Sequence, residues 1–346
     1  EQAILMVQNI MIGRMGDLII SMASICGNYL WFGTTIINGI AGGGILVGSQ
    51  EYGKGNMKAI KQLFSICFLS AVLVGTAYFS LMVFIPEQIM KLYTENMDIV
   101  RMGTEYFKIS KYSIICSMLS LAISLSFRSI MKARLGFINS FITCVTNIFF
   151  IRVFVFQLEM GVQGLAYAYL TGKMIELLIS LIYLFTDRDL HFRVKDFDIN
   201  LDKDLLKLLF SKILSITAIE LLHSISVTVQ TMITGRISDF YLAANSIVHV
   251  SYGIPSVFAG GCGVAANTMI GKCLGNREYD KAKLYSRRFI VISLLMGLFA
   301  SAMVHVMMLV LPGFYNVSAD TLMLAKRMSI SASFVVVFLS VGQTFS

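Results

Sequence analysis

A carboxylate inside a long apolar run is the group in this chain best placed to do chemistry. Glu220 stands in such a run with Thr217, His223, Ser224 and Gln230 at offsets of −3, +3, +4 and +10. Those offsets share one face of a helix, and Val227 at +7 interrupts the stripe. An ionisable side chain at mid-membrane is costly and marks an ion or substrate path by default. The chemistry expected here is protonation of Glu220 or its coordination of a cation. His223 is the natural modulator, because imidazole titrates near neutral pH. The structural alternative is a Glu220 kept neutral by a hydrogen bond.

Other polar residues break the apolar sequence. Gln8 and Gln230 fall at equivalent positions of an internal repeat described below, placed to bind substrate or to bridge helices. Asn147 is a further cavity candidate. Glu176 follows Lys173 by one helical turn, the pattern of an internal ion pair, and joins the candidate substrate and coupling-ion set. Arg152 sits near the outer end of its span, where it can snorkel. His249 and His305 are isolated in apolar runs and read as packed side chains. Tyr29, Trp31 and Tyr252 are candidates to line a cavity for flat organic cations through cation–π attraction. No His-Glu-x-x-His, no paired carboxylates and no Ser/His dyad suggest an enzyme. No metal site and no cofactor beyond a coupling ion (H⁺ or Na⁺) is expected. The six cysteines are scattered through apolar segments without metal-type or disulfide spacing.

The elements that must position these groups are membrane-spanning helices. Hydrophobic residues make up 56% of the 346 residues and charged residues 14%, against about a quarter charged in soluble domains. Apolar stretches of spanning length, roughly 20 residues, fall at 20–50, 62–85, 107–131, 137–158, 162–186, 208–234, 240–272, 287–311 and 322–346. Residues 1–15 read as the remnant of a first span. The expected fold is all-α and polytopic, with about ten spans of an expected twelve. The expected organisation is an N-lobe over 1–186, a cytoplasmic linker over 187–207, and an incomplete C-lobe over 208–346 holding spans seven to ten. A chain shortened at both ends raises the alternative that it transports nothing.

The spans repeat. Offset by 222 residues, Val7–Gln62 lies over Val229–Leu284 without a gap and with ten identities, among them Gln8/Gln230, Gly13/Gly235, Arg14/Arg236, Gly39/Gly261, Gly53/Gly275 and Lys61/Lys283. The first span maps on the seventh, an even number of crossings, so the two six-helix repeats are parallel, related by an axis along the membrane normal. Lys and Arg then divide unequally. One side collects Lys54–Lys61, Arg128–Arg134, Arg188–Lys212 and Lys272–Arg288, and is the cytoplasmic side by the positive-inside rule. The net charge of +8 reads as anchoring to anionic lipid, with no nucleic acid as partner. A multi-pass monomer in the cell membrane is expected. Gly39, Gly42, Gly43 and Gly44 in the second span, and Gly260, Gly261 and Gly263 in the eighth, allow close helix approach or bending.

Several segments resemble the multidrug and toxic compound extrusion (MATE) family. They are Ile12–Gly16, Gly48–Asn56, Tyr106 to Arg128, Asn147-Ile148, Gly161–Ala166, Ala243–Asn245 and Gly271–Asn276. The resemblance implies two six-helix lobes around a central cavity, and export of organic, often cationic, compounds in exchange for Na⁺ or H⁺. It also exposes departures. Many bacterial relatives carry Asp where Gln8 stands, and Asn-x-x-x-Asp where Asn147 is followed by Ile151. Both N-lobe carboxylates of the family pattern are thus replaced. Two competing functions are a lipid-linked saccharide flippase of the same superfamily and an intramembrane enzyme. The flippase calls for inward-facing Arg or Lys, whereas the inward candidates here are neutral or acidic.

Overall fold

The computed structural model describes residues 11, 17–132, 134–187, 192, 196–198, 203–310 and 319–345. Gln8 lies outside the described residues. The architecture is all-helical: α1 (Asp17–Gly53), α2 (Met57–Phe84), α3 (Pro86–Tyr93), α4 (Met97–Ser129), α5 (Arg134–Ile151) continued by a π segment (Arg152–Gln157), α6 (Gly161–Thr186), α7 (Lys203–Ile237), α8 (Asp239–Gly275), α9 (Tyr279–Val310) and α10 (Ala319–Phe345). Local chemistry sets several boundaries. The Asn56 side chain accepts from Ala59 N at 3.2 Å and caps α2. Asn96 accepts from Asp98 N at 3.0 Å and caps α4. Both satisfy donors that a helix start leaves unpaired. Gly55 takes φ +75° in the turn between α1 and α2, a left-handed conformation that side chains disfavour.

Eight of the described helices are long and apolar enough to cross a membrane: α1, α2, α4, α5 with its π segment, α6, α8, α9 and α10. The chain is a multi-pass membrane protein. α7 is long enough but falls outside that set. Its sequence carries the polar stripe of Thr217, Glu220, His223, Ser224, Thr228 and Gln230. The observed helices run a few residues beyond the apolar stretches at most ends, because polar flanks continue the backbone ladder past the hydrocarbon.

Large apolar side chains such as Leu73, Phe137, Ile182, Leu222, Leu309 and Phe338 are exposed. They form the surface that lipid covers. Internally, α1 is the central element. It packs on α2 and α4 of the first half and on α7 and α8 of the second. Met22, Ile25 and Ile37 of α1 join Phe107 and Met118 of α4 and Leu165 of α6 in the largest buried cluster. In the second half α8, α9 and α10 pack on one another, with Ala300, Val304 and Val336 buried between them. The polar connection after α6 docks back on α2. Asp196 pairs with Lys61 at 3.1 Å, Asp198 accepts from Gln62 at 2.7 Å, and Phe192 meets Phe64 edge-on at 4.5 Å.

Candidate functional site at the seam of the two halves

The site is built where α1 meets α7 and α8. α1 and α7 run antiparallel, and their register can be read from contact to contact. A Cβ on Gly43 would meet Ile213 at 2.7 Å, one on Gly42 would meet Ile216 at 3.1 Å, and one on Gly39 would meet the Thr217 backbone at 2.6 Å. Glycine is thus required here by close approach, and the two helices lie in contact over about one turn. Further along, Trp31 meets His223 edge-on with ring centroids 6.0 Å apart. Asn28 Oδ1 then accepts from Thr228 Oγ1 at 3.2 Å and from Tyr93 OH at 3.1 Å. One amide oxygen therefore ties α1, α3 and α7 together.

The stripe of α7 that faces α1 is Ile213, Thr217, Ser224, Thr228 and Thr231, of which the last three are buried. Glu220 and His223 are rotated from that stripe toward the side on which Gln230 reaches α8, where its Nε2 donates to Asn245 Oδ1 at 3.2 Å. Helical spacing thus turns Glu220 between the α1-facing stripe and the side of Gln230. Glu220 is half-buried, and His223 is exposed. His223 is also in electrostatic range of His249 on α8. His249 Nδ1 shares a hydrogen bond of 3.0 Å with Tyr252 OH. Two ring pairs thus lie at the seam, Trp31 with His223 and His249 with Tyr252. Sequence reasoning read His249 as an isolated packed residue.

The seam is closed toward the lysine-rich end. Gly53 lies against the carbonyl oxygen of Lys272, at 2.6 Å from a Cβ built there, and against Gly275 Cα at 3.1 Å. Gly271 packs on Ser49, and Gly275 on the Gln50 carbonyl. The Lys272 ammonium sits 5.7 Å above the Tyr52 ring. At the other end, Ile20 of α1 belongs to one buried cluster with Ala243, Ala244 and Ile247 of α8.

The remaining sequence candidates go elsewhere. Tyr29 points into the first bundle, 5.4 Å from both the Tyr78 and the Phe107 rings. Tyr252 packs with the cluster of α9 and α10 as well as with His249. Of the aromatic trio, Trp31 is the one that meets the Glu220 helix. Asn147, beside Gly172 of α6, and Glu176 one turn further along α6 both lie inside the first bundle. Glu176 pairs with Lys173 at 2.9 Å. Ser120, Asn139, Thr143 and Ser180, which sequence reasoning did not single out, complete that second cluster.

Comparison with known proteins gives a consistent answer for the fold. The family model MatE matches residues 1–153 and 216–346. The structure of the eukaryotic MATE transporter AtDTX14 superimposes with a TM-score of 0.79 at 15% identity, covering 99% of this chain and 78% of that one. A MATE structure in complex with MaL6 gives a TM-score of 0.74 at 18% identity, over 99% of this chain and 81% of that one. A MOP superfamily transporter from Pyrococcus furiosus gives 0.70 at 16% identity, again over 99% and 81%. No curated protein sequence matches the chain.

Proposed function

The chain belongs to the MatE family of membrane transporters, and from that membership and the seam geometry we propose that it exports organic cations across the cell membrane in exchange for H⁺ or Na⁺. The observation that carries the reading is Glu220, a half-buried carboxylate of α7, the helix that packs on α1 and α8, with His223 one turn away. A carboxylate there attracts a proton, a sodium ion or an organic cation, and it binds one of them at a time. That competition is what exchange across a membrane requires. Trp31, which meets the Glu220 helix at His223, supplies a ring for a flat cation there. The polar groups on the Glu220 stripe of α7 are acidic, neutral or imidazole, and the Lys272 ammonium lies at the closed, lysine-rich end over the Tyr52 ring. That favours a cationic cargo over a pyrophosphate-linked one, which would want guanidinium or ammonium groups. We place the working unit as a monomer of two lobes joined by the cytoplasmic connection.

The test is ethidium transport by the purified protein in liposomes, with a pH gradient and a sodium gradient imposed separately. Glu220→Gln should lower gradient-driven uptake about tenfold or more, equivalent to about 1.4 kcal/mol or more of lost stabilisation. Full gradient-driven uptake in that variant would remove Glu220 from the mechanism. Absence of gradient-driven uptake in the unaltered protein would reject the exchange reading itself.

A further inference from the structure

A cavity of about 190 Å³ lies away from the seam, at the lysine-rich end of the first bundle. Its walls are Phe64 and Phe68 of α2, Leu181, Leu184 and Phe185 of α6, and Phe192 and Phe197 of the connection to α7. The fold leaves this gap for a simple reason. α2 and α6 both pack on α4, with little contact between them. Ile123 and Phe127 of α4 share one buried cluster with Phe64 and Leu184. The connection between the halves then roofs the gap with two rings. Phe192 meets Phe64 edge-on at 4.5 Å, and Phe197 meets Phe68 edge-on at 6.2 Å. Polar contacts on either side of Phe197 hold the roof down. Asp196 pairs with Lys61, Asp198 accepts from Gln62, and the Asp198 amide donates to Ser65 Oγ at 3.3 Å.

The walls decide what can enter. All seven side chains are apolar, so water finds no hydrogen-bond partner among them. Apolar cavities of about 150 Å³ stay dry and take up apolar guests. Left empty, the walls forfeit their dispersion contacts on that side. Phe64, Leu184 and Phe192 form a buried floor, whereas Phe185 and Phe197 at the rim are exposed. Leu178 and Ile182 of α6 are exposed as well and belong to the surface that lipid covers. The rim is therefore continuous with the lipid-facing surface. Depth agrees with this. Lys61 precedes Phe64 by three residues and Asp187 follows Phe185 by two, and both are held in ion pairs, with Asp196 and Lys132. The cavity lies just inside that charged level, where the first methylenes of a lipid chain run below the headgroups. A methylene takes about the volume of a water molecule, roughly 30 Å³, so about six fit. An organic cation would want a counter-charge, and the acidic groups beside the walls are engaged. Asp187 pairs with Lys132, Asp196 with Lys61, and Asp198 accepts from Gln62.

We propose that this cavity is a binding site for one acyl chain of a bilayer lipid, whose first methylenes complete the packing between α2, α6 and the connection that joins the halves. Moving a chain from the bilayer into the cavity brings no hydrophobic gain, because lipid tails are as apolar as the walls. What it gains is close contact on all sides, so this lipid exchanges with its neighbours more slowly than those on the open surface. The chain in turn supports the roof. Without it Phe192 and Phe197 lose a packing partner, and the connection lifts from α2 more readily. Lipid binding here does not depend on the exchange reading, since it is measured without transport.

The test uses the full chain in nanodiscs with a phosphatidylcholine that carries a diazirine near the carboxyl end of one acyl chain. After illumination, peptides bearing Phe68, Phe185 or Phe197 should carry at least about tenfold more label than peptides bearing Leu222 or Leu309, which are exposed on other helices. Leu181→Trp fills the cavity from within and should bring the label down to the level of those two references. Leu181→Phe is a smaller fill that guards against misfolding, and should lower the label about threefold. A second readout follows the roof. Stripping lipid should speed amide hydrogen exchange at Asp196–Asp198, and added phosphatidylcholine should restore protection. Equal labelling of all lipid-facing peptides, undiminished label in folded Leu181→Phe, or exchange at Asp196–Asp198 indifferent to lipid would overturn the proposal. So would loss of the label on adding ethidium, which would assign the cavity to an aromatic cation instead.

Discussion

Asn28 illustrates how single side chains hold the two halves together. Its Oδ1 accepts two hydroxyl donors, one from Tyr93 and one from Thr228, the latter 200 positions away in the chain. Asn28→Ala leaves both hydroxyls without that acceptor in a part-buried place. It should cost about 1–3 kcal/mol, read as a lower thermal unfolding temperature in detergent. Asn28→Asp keeps the acceptor and should recover most of the loss. Glu220 was legible in the sequence because one acidic group in an apolar run stands out on composition alone. Glu176 was legible as half of a pair because Lys173 is one turn away. Asn28, His249 and Ser120 were not. Their partners lie on other helices, and a polar residue in an apolar run gives no sign of which neighbour it will meet. The same holds for the aromatic trio. Ring type suggested a common cavity for Tyr29, Trp31 and Tyr252, but the direction each takes depends on rotation about its helix axis.

The contact of α1 with α7 sets the geometry at the level of elements. A methyl on Gly39 would sit 2.6 Å from the Thr217 backbone, whereas one on Gly27 of the same helix would meet nothing within 4 Å. Gly39→Ala should therefore force the two helices apart, with an overpacking cost of about 1–3 kcal/mol, and should slow ethidium uptake. Gly27→Ala should be neutral in both assays. Equal effects of the two substitutions would show that helix flexibility, not close approach, is what the glycines supply. The spans were readable from hydropathy because lipid imposes a minimum apolar length. Two elements were not. The short amphipathic α3 falls between the apolar stretches, and its eight residues are too few for a periodicity to declare itself. The π segment after Ile151 follows from how the end of α5 packs against α6 and has no compositional mark.

Across the whole molecule, the inner end of the seam is where the two halves meet most closely. A Cβ on Gly271 would lie 3.1 Å from Ser49 Cβ, near the roughly 3.5–4.5 Å between Cβ atoms in disulfides. In a background freed of the six native cysteines, Ser49→Cys/Gly271→Cys should crosslink on oxidation and halt ethidium uptake, and a reductant should restore it. A crosslinked protein that still transports would mean that α1 and α8 stay joined there throughout the cycle. The parallel arrangement of the repeats was readable from the 222-residue offset and the distribution of Lys and Arg. The register of the seam was not, because it depends on how two curved surfaces of small residues fit.

Gly53 and Gly275 are counterparts in the repeat, and each lies 3.1 Å from the other when a Cβ is built on either. Two equivalent points can touch only where the axis relating them passes between them. A point on that axis stays still while matter farther from it swings, so this pair of glycines has the position of a fulcrum. If each bundle leans by about 10° about it, the far ends move about 5 Å apiece across a hydrocarbon layer roughly 30 Å thick. Leverage of that size needs hardly any sliding at the pivot.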